Sequence, residues 1–259
     1  MTLRPRSPGA RRLHEAVLAL RAPLRVECSI KLVPGALLAE RFLLGVPKRA
    51  LGPDPAAALA ALGRRIGWPP AAETLLAEHL EAADHVHLGW EEGEGGATTK
   101  LYLEAAAQAG RARAAGRPAT VHRAVKWDPE HPGEGRSSRY DLAEAPAAEA
   151  MAALFAGRPL GAPGLALGLD ALALAPGGML LVVTEAGSPR RSFDLNLYGA
   201  ERPVAALAAP LARAAAVFGI DPGEAADRFG AVGARPLGHV SGGLGRDGRD
   251  FATLYYGAD

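Results

Sequence analysis

A chain of 259 residues, 49% hydrophobic and 22% charged, is long enough to bury a sizeable core and has the balance of a globular protein. Lys and Arg total 29 against 28 Asp and Glu, a formal net charge of +1, which excludes a generally basic nucleic-acid coat. The single cysteine, Cys28, excludes an intramolecular disulfide and a Cys-rich zinc or iron–sulfur site, and no apolar run approaches the roughly 20 residues that cross a bilayer. The basic start (Arg4, Arg6, Arg11, Arg12) leads only into the short run from Ala16 to Leu20, ended by Arg21 with no convincing cleavage site after it. The sequence therefore reads as a cytoplasmic protein.

In chain order, Ala10 to Arg21 reads as a first helix and 24–32 as a strand. The stretch 43–55 reads as a loop. Helices are expected at 54–66 and 71–83, parted by Gly67-Trp68-Pro69-Pro70. Strands at 85–91 and 97–104 flank Glu92-Gly93-Glu94-Gly95-Gly96, which is hairpin chemistry. A short helix covers 105–115. Strands at 118–127 and 136–142 flank a second hairpin, His131-Pro132-Gly133-Glu134-Gly135, and 145–157 is helical. Strands at 165–174 and 179–185 flank a third, Pro176-Gly177-Gly178, and 190–198 adds another strand. Helices at 203–217 and 221–229 precede a final pair, 235–242 and 249–256, that turns through Asp247-Gly248.

That makes ten strands, mostly in hairpins, with helices between the pairs, which disfavours a doubly wound parallel sheet. No linker parts the chain, so 1–259 reads as one domain. The strands split by alternation into two faces. Leu24, Val26, Cys28, Ile30 and Leu32 oppose Arg25, Glu27, Ser29 and Lys31. Val86, Leu88 and Trp90 oppose His85, His87 and Glu91. Leu101 and Leu103 oppose Lys100, Tyr102 and Glu104. Val121, Val125 and Trp127 oppose Thr120, His122 and Lys126. Phe193, Leu195 and Leu197 oppose Asp194, Asn196 and Tyr198. The plainer interpretation is a sheet with one face on helices and one in water. The sharper one is closure. An open sheet of ten strands has two edges and tends to curl, and with helices outside, the polar face lines a solvated lumen. The fold class expected is α+β: a closed antiparallel ten-stranded β-barrel surrounded by helices.

Gly243-Leu-Gly245-Arg-Asp-Gly248 matches a dinucleotide fingerprint, but too little chain follows it for a helix and a second strand, so it reads as a hairpin turn. His85 and His87 share a strand face and could begin a metal site, with His122 and His239 as later partners from other strands. No DDxxD cluster is present to hold a diphosphate through magnesium. Lys and Arg together with phenolic hydroxyls can hold one without metal. Lys100-Leu-Tyr102, Asp194-Leu-Asn196-Leu-Tyr198, Lys126, Arg191 and Arg235 offer such groups on several strands.

The helix–hairpin rhythm, Glu27-Cys28-Ser29, Lys100-Leu101-Tyr102 and Asn196-Leu197-Tyr198 resemble the ABBA aromatic prenyltransferases, which include the dimethylallyltryptophan synthases and the cyanobactin peptide prenyltransferases. The resemblance implies a PT barrel of α-β-β-α repeats. It implies metal-independent transfer of a dimethylallyl or geranyl group from its diphosphate to an aromatic or peptide acceptor, with no cofactor besides the prenyl diphosphate. Glu27 would be the catalytic residue, orienting the acceptor and taking its proton. Lys31, Lys100, Tyr102, Lys126, Arg191, Asn196, Tyr198, Arg235 and Tyr255 would bind the diphosphate. Asn196 departs from the family pattern, which often has lysine there, and the chain is shorter than most relatives. Arg191 has the apolar parity of its strand and needs a bulge to turn inward. Two other readings stand beside this one: a non-catalytic barrel for a small ligand, and a metal-dependent hydrolase or lyase using the histidine face. Neither nucleic acid nor membrane is an expected partner.

Overall fold

The computed structural model describes residues 3–93, 95–133, 135–157 and 162–257. Glu94 and Glu134, each inside an expected hairpin turn, lie outside the described residues. By Cα packing the chain divides into two compact units. The first takes the chain to Glu27 and then Glu40–Arg139. The second takes Cys28–Ala39 and the chain from Tyr140 on.

In the first unit, helix α1 (Pro8–Leu18) starts on a Ser7 cap with proline in its first turn and packs on helix α2 (Pro55–Ile66) and strand β4 (His85–Gly93). The Asp54 carboxylate accepts from the Ala57 amide and starts α2. Helix α3 (Pro70–His79) packs on strands β5 (Gly96–Glu104) and β6 (Thr120–Trp127), and helix α4 (Ala106–Ala114) packs on β6. Strand β3 (Arg41–Pro47) pairs antiparallel with β4, β4 with β5, and β5 with β6. In the second unit, helix α5 (Ala147–Leu154) packs on strands β8 (Met179–Glu185) and β9 (Arg191–Asn196). Helix α6 (Pro163–Leu174) packs on β9, β10 (Leu237–Leu244) and β11 (Asp250–Gly257). Helices α7 (Ala208–Val217) and α8 (Pro222–Val232) pack on each other, and α7 also meets α6.

The strand β1 (Arg25–Val33) pairs at Lys31–Val33 with the short β2 (Ala36–Leu38), and β7 spans Arg136–Leu142. The hydrogen-bonded order is β11-β10-β9-β8-β7-β6-β5-β4-β3-β1-β2, and β11 also pairs with β1. Without β2, ten strands close into an antiparallel barrel with helices around it, as the alternation of faces predicts.

Three elements differ from the sequence expectation. Residues 165–174 lie in helix α6, so Pro176-Gly177-Gly178 joins a helix to β8 and makes no hairpin. Gly-Leu-Ala-Leu-Gly-Leu has a period of two, but the segment holds no β-branched residue, and its buried set (Gly164, Leu167, Gly168, Ala171) is spaced as on a helix. Gly168 is needed for the close approach: a β-carbon there would stand 2.9 Å from Met151 Sδ and closer still to the Phe193 ring. Residues 43–47 of the expected 43–55 loop belong instead to strand β3, which begins at Arg41. Arg41, Phe42, Leu44, Gly45 and Val46 are all buried, so both faces are covered and no polar alternation marks the strand. The expected strand at 235–242 begins at Leu237, leaving Arg235 in the connection, where its carbonyl accepts the Val204 amide. Gly245–Gly248 does form the turn between β10 and β11.

Candidate functional site

Cross-strand partners in an antiparallel pair share a face, and the register of β3 to β6 gathers the polar side chains of the first unit on one face. Lys100 is the partner of Lys126 and of Gly89, and Tyr102 is the partner of His87 and Ala124. Glu104 is the partner of both His85 and His122, and Arg41 is the partner of Glu91. Two like charges directly opposite each other repel. Lys126 is only 4% exposed and the Lys100 side chain only 12%, so water screens them little. Glu91 relieves part of that repulsion: one carboxylate oxygen meets the Lys100 ammonium and lies 2.6 Å from Arg41 Nη2. Glu27, on β1 in the same unit, is half-buried.

Along β5 from Lys100 the character changes from cationic to imidazole. Glu104 Oε2 lies 2.7 Å from His87 Nε2 and 3.9 Å from His85 Nδ1. Burial alone would raise the Glu104 carboxyl, but the His87 hydrogen bond and the charges of His122, His87 and His85 outweigh it and hold it at about 2. The rings of His85 and His87 stack with centroids 6.1 Å apart, and His122 stands edge-on to His87 at 6.2 Å and to Tyr102 at 6.4 Å.

The second unit has two polar groupings of its own. In one, His239 Nδ1 is 2.6 Å from Asp194 Oδ1, and the rings of Tyr198 and Tyr255 meet the imidazole edge-to-face with centroids 5.3 and 5.9 Å away. A carboxylate on one ring nitrogen fixes the ring's orientation. In the other, the Phe251 ring carries the Lys31 ammonium at 4.8 Å and the Arg190 guanidinium at 5.6 Å, a doubled cation–π contact. Glu185, with a side chain 0% exposed, accepts two hydrogen bonds from Arg246 at 2.5 and 2.7 Å.

No protein-family model and no curated protein matches the sequence. Solved structures do match. PriB, crystallised as a binary complex with product diphosphate, superposes with a TM-score of 0.64 at 16% identity, over 90% of this chain and 80% of that one. AnaPT from Neosartorya fischeri gives 0.60 at 13% identity, over 90% and 78%. A 6-dimethylallyltryptophan synthase from Micromonospora olivasterospora, solved with DMASPP and Trp, gives 0.56 at 16% identity, over 90% and 82%. This chain has the ABBA prenyltransferase fold.

The ABBA barrel brings the expected residues together unevenly. Lys100, Tyr102 and Lys126 share one face of β5 and β6. In the second unit, Tyr198 and Tyr255 meet at His239, and Lys31 sits on Phe251. Asn196 turns its side-chain oxygen to the Tyr198 amide at 3.2 Å, ending β9, and Tyr198 is 42% exposed. Arg191 is exposed at the start of β9, and no bulge turns it inward. Arg190, one residue earlier, carries the inward parity. Arg235 lies beside Tyr256, whose phenol it draws down in pKa against the effect of burial. Arg41, Glu91 and Arg190 have no motif around them, and sequence reasoning does not single them out. The alternation over 85–91 does place Glu91 on the polar face, whereas Arg41 is hidden in a strand without alternation. His239 sits with Asp194 in the second unit, while His85, His87 and His122 converge on Glu104.

Proposed function

We propose that this barrel transfers an allylic prenyl group from its diphosphate to an aromatic or peptide acceptor, with the diphosphate held by cationic side chains and no metal ion. The observation that supports this most is the opposed pair Lys100 and Lys126, two ammonium groups on partner residues largely withdrawn from water. An anion carrying several negative charges is the ligand such a pair favours, and Arg41 adds a third cation through Glu91. The same fold in PriB holds product diphosphate, and NotF has been solved with brevianamide F and DMSPP.

In this scheme the allylic C–O bond breaks, and its electron pair leaves with the diphosphate. Lys100, Lys126 and the Tyr102 hydroxyl stabilise the charge as it builds. An electron pair of the acceptor forms the new bond to the allylic cation. The proton that the acceptor gives up passes to Glu27, which a small-ligand carrier would have no use for. Lys31, Asn196, Tyr198, Arg235 and Tyr255 carry the same diphosphate role in this proposal, and single alanine variants test each. Arg191, exposed, is the weakest of the set.

Calorimetric titration with dimethylallyl and geranyl thiolodiphosphates in excess EDTA tests the reading. The wild type is expected to bind one equivalent, and Lys100→Ala and Lys126→Ala to bind at least about tenfold more weakly, roughly 1.4 kcal/mol each. Absence of binding by the wild type to either analogue would overturn it.

A further inference from the structure

We infer that His85, His87, Glu104 and His122 form a binding site for one divalent transition-metal ion, with zinc the best chemical match. The four side chains come from three adjacent strands of the first unit, and the register explains why they meet. Glu104 on β5 is flanked directly by His85 on β4 and His122 on β6, and His87 lies two residues along β4 from His85 on the same face. One ligand atom from each of His87, Glu104 and His122 lies within 4.8 Å of the others. Bonds of about 2.0–2.2 Å to a tetrahedral ion place donors roughly 3.5 Å apart, so small side-chain rotations close the shell. His85 Nδ1 is buried, makes no hydrogen bond, and is directed at the same carboxylate from 3.9 Å. It is placed to be the fourth ligand.

The chemistry of the donors favours the same conclusion. Each imidazole has a ring nitrogen able to give a lone pair to a metal ion, and Glu104 adds a carboxylate oxygen. A set of neutral nitrogens and one carboxylate suits zinc and its neighbours, whereas magnesium and calcium prefer all-oxygen shells. Residues fixed on adjacent strands also hold geometry better than loop residues do. Tyr102, edge-on to His122, borders the site on the side toward Lys100.

The test is a titration of metal-stripped full-length protein with zinc against a chromophoric chelator, without any diphosphate, so that its outcome is independent of the prenyl-transfer reading. The wild type is expected to bind one equivalent. His87→Ala and His122→Ala should each weaken binding by about 100-fold, and His85→Ala by about tenfold. His131→Ala, whose imidazole pairs with Asp128 on the surface, should leave it unchanged. Retention of full affinity by the His87→Ala/His122→Ala double variant would overturn the assignment. Cobalt substitution of the wild type needs no variant to fold. A visible absorption band of a four- or five-coordinate ion with nitrogen ligands is expected, and no such band would equally overturn the site.

Discussion

Glu91 illustrates how one residue can set the state of a pocket. It pairs with Arg41 and Lys100 at once, so the diphosphate proposed to bind there would compete with a carboxylate already in place. For Glu27 in its proposed role, Glu27→Gln separates chemistry from binding. The variant is expected to bind the thiolodiphosphate as the wild type does while turnover falls by about 100-fold or more. An equal loss of both would assign Glu27 to binding instead. A second residue-scale prediction concerns Tyr256. Burial, with the nearby Cys28 adding to it and Arg235 and Arg228 opposing, pushes its phenol up to about 12 from 10.0. The folded state thus prefers the neutral phenol. The stability this represents is present in full below pH 10 and is lost as pH rises toward 12. Urea unfolding of wild type and Tyr256→Phe should therefore diverge by on the order of 2 kcal/mol between about pH 9 and pH 12, with the variant losing less. Parallel curves would remove Tyr256 as the cause.

At the scale of elements, the end of β8 is pinned to the β10–β11 turn by Glu185 and Arg246. Removing only the guanidinium leaves a fully buried carboxylate that has lost its closest described cation, with Arg190 at 3.9 Å. Arg246→Ala should cost about 3 kcal/mol in urea unfolding, and adding Glu185→Gln should recover part of that loss. If the double variant is no more stable than the single one, the buried charge is not what costs the energy. Elements also show what the sequence could reveal. Strands with one polar face are legible from alternation alone, and so is the grouping of Lys100, Tyr102 and Lys126, because parity fixes which side chains are neighbours. Helix α6 and strand β3 are not. The first mimics a period of two through repeated leucines, and the second is buried on both faces and lacks polar punctuation. Missing β3 hides Arg41, and the convergence of three histidines on Glu104 depends on a register that hairpin lengths only partly determine.

For the whole molecule, ten strands in closed order remove the exposed edges that an open sheet would present to other chains. Most neighbours in the barrel are also near in sequence, as in β4 with β5 and β10 with β11. The exception is the pairing of β11 with β1, which joins residues more than two hundred positions apart. That one seam governs how the chain reaches its native state. Local hairpins can form early, but β1 keeps an unpaired edge until the final strand arrives, and the loop-closure entropy of that step is the largest in the fold. Refolding should accordingly end in a slow phase, and its yield should fall as protein concentration rises, because two open rims can pair with each other before either closes. Light scattering during refolding from urea at several concentrations measures this directly, and a yield independent of concentration would show that the seam is sealed before chains meet.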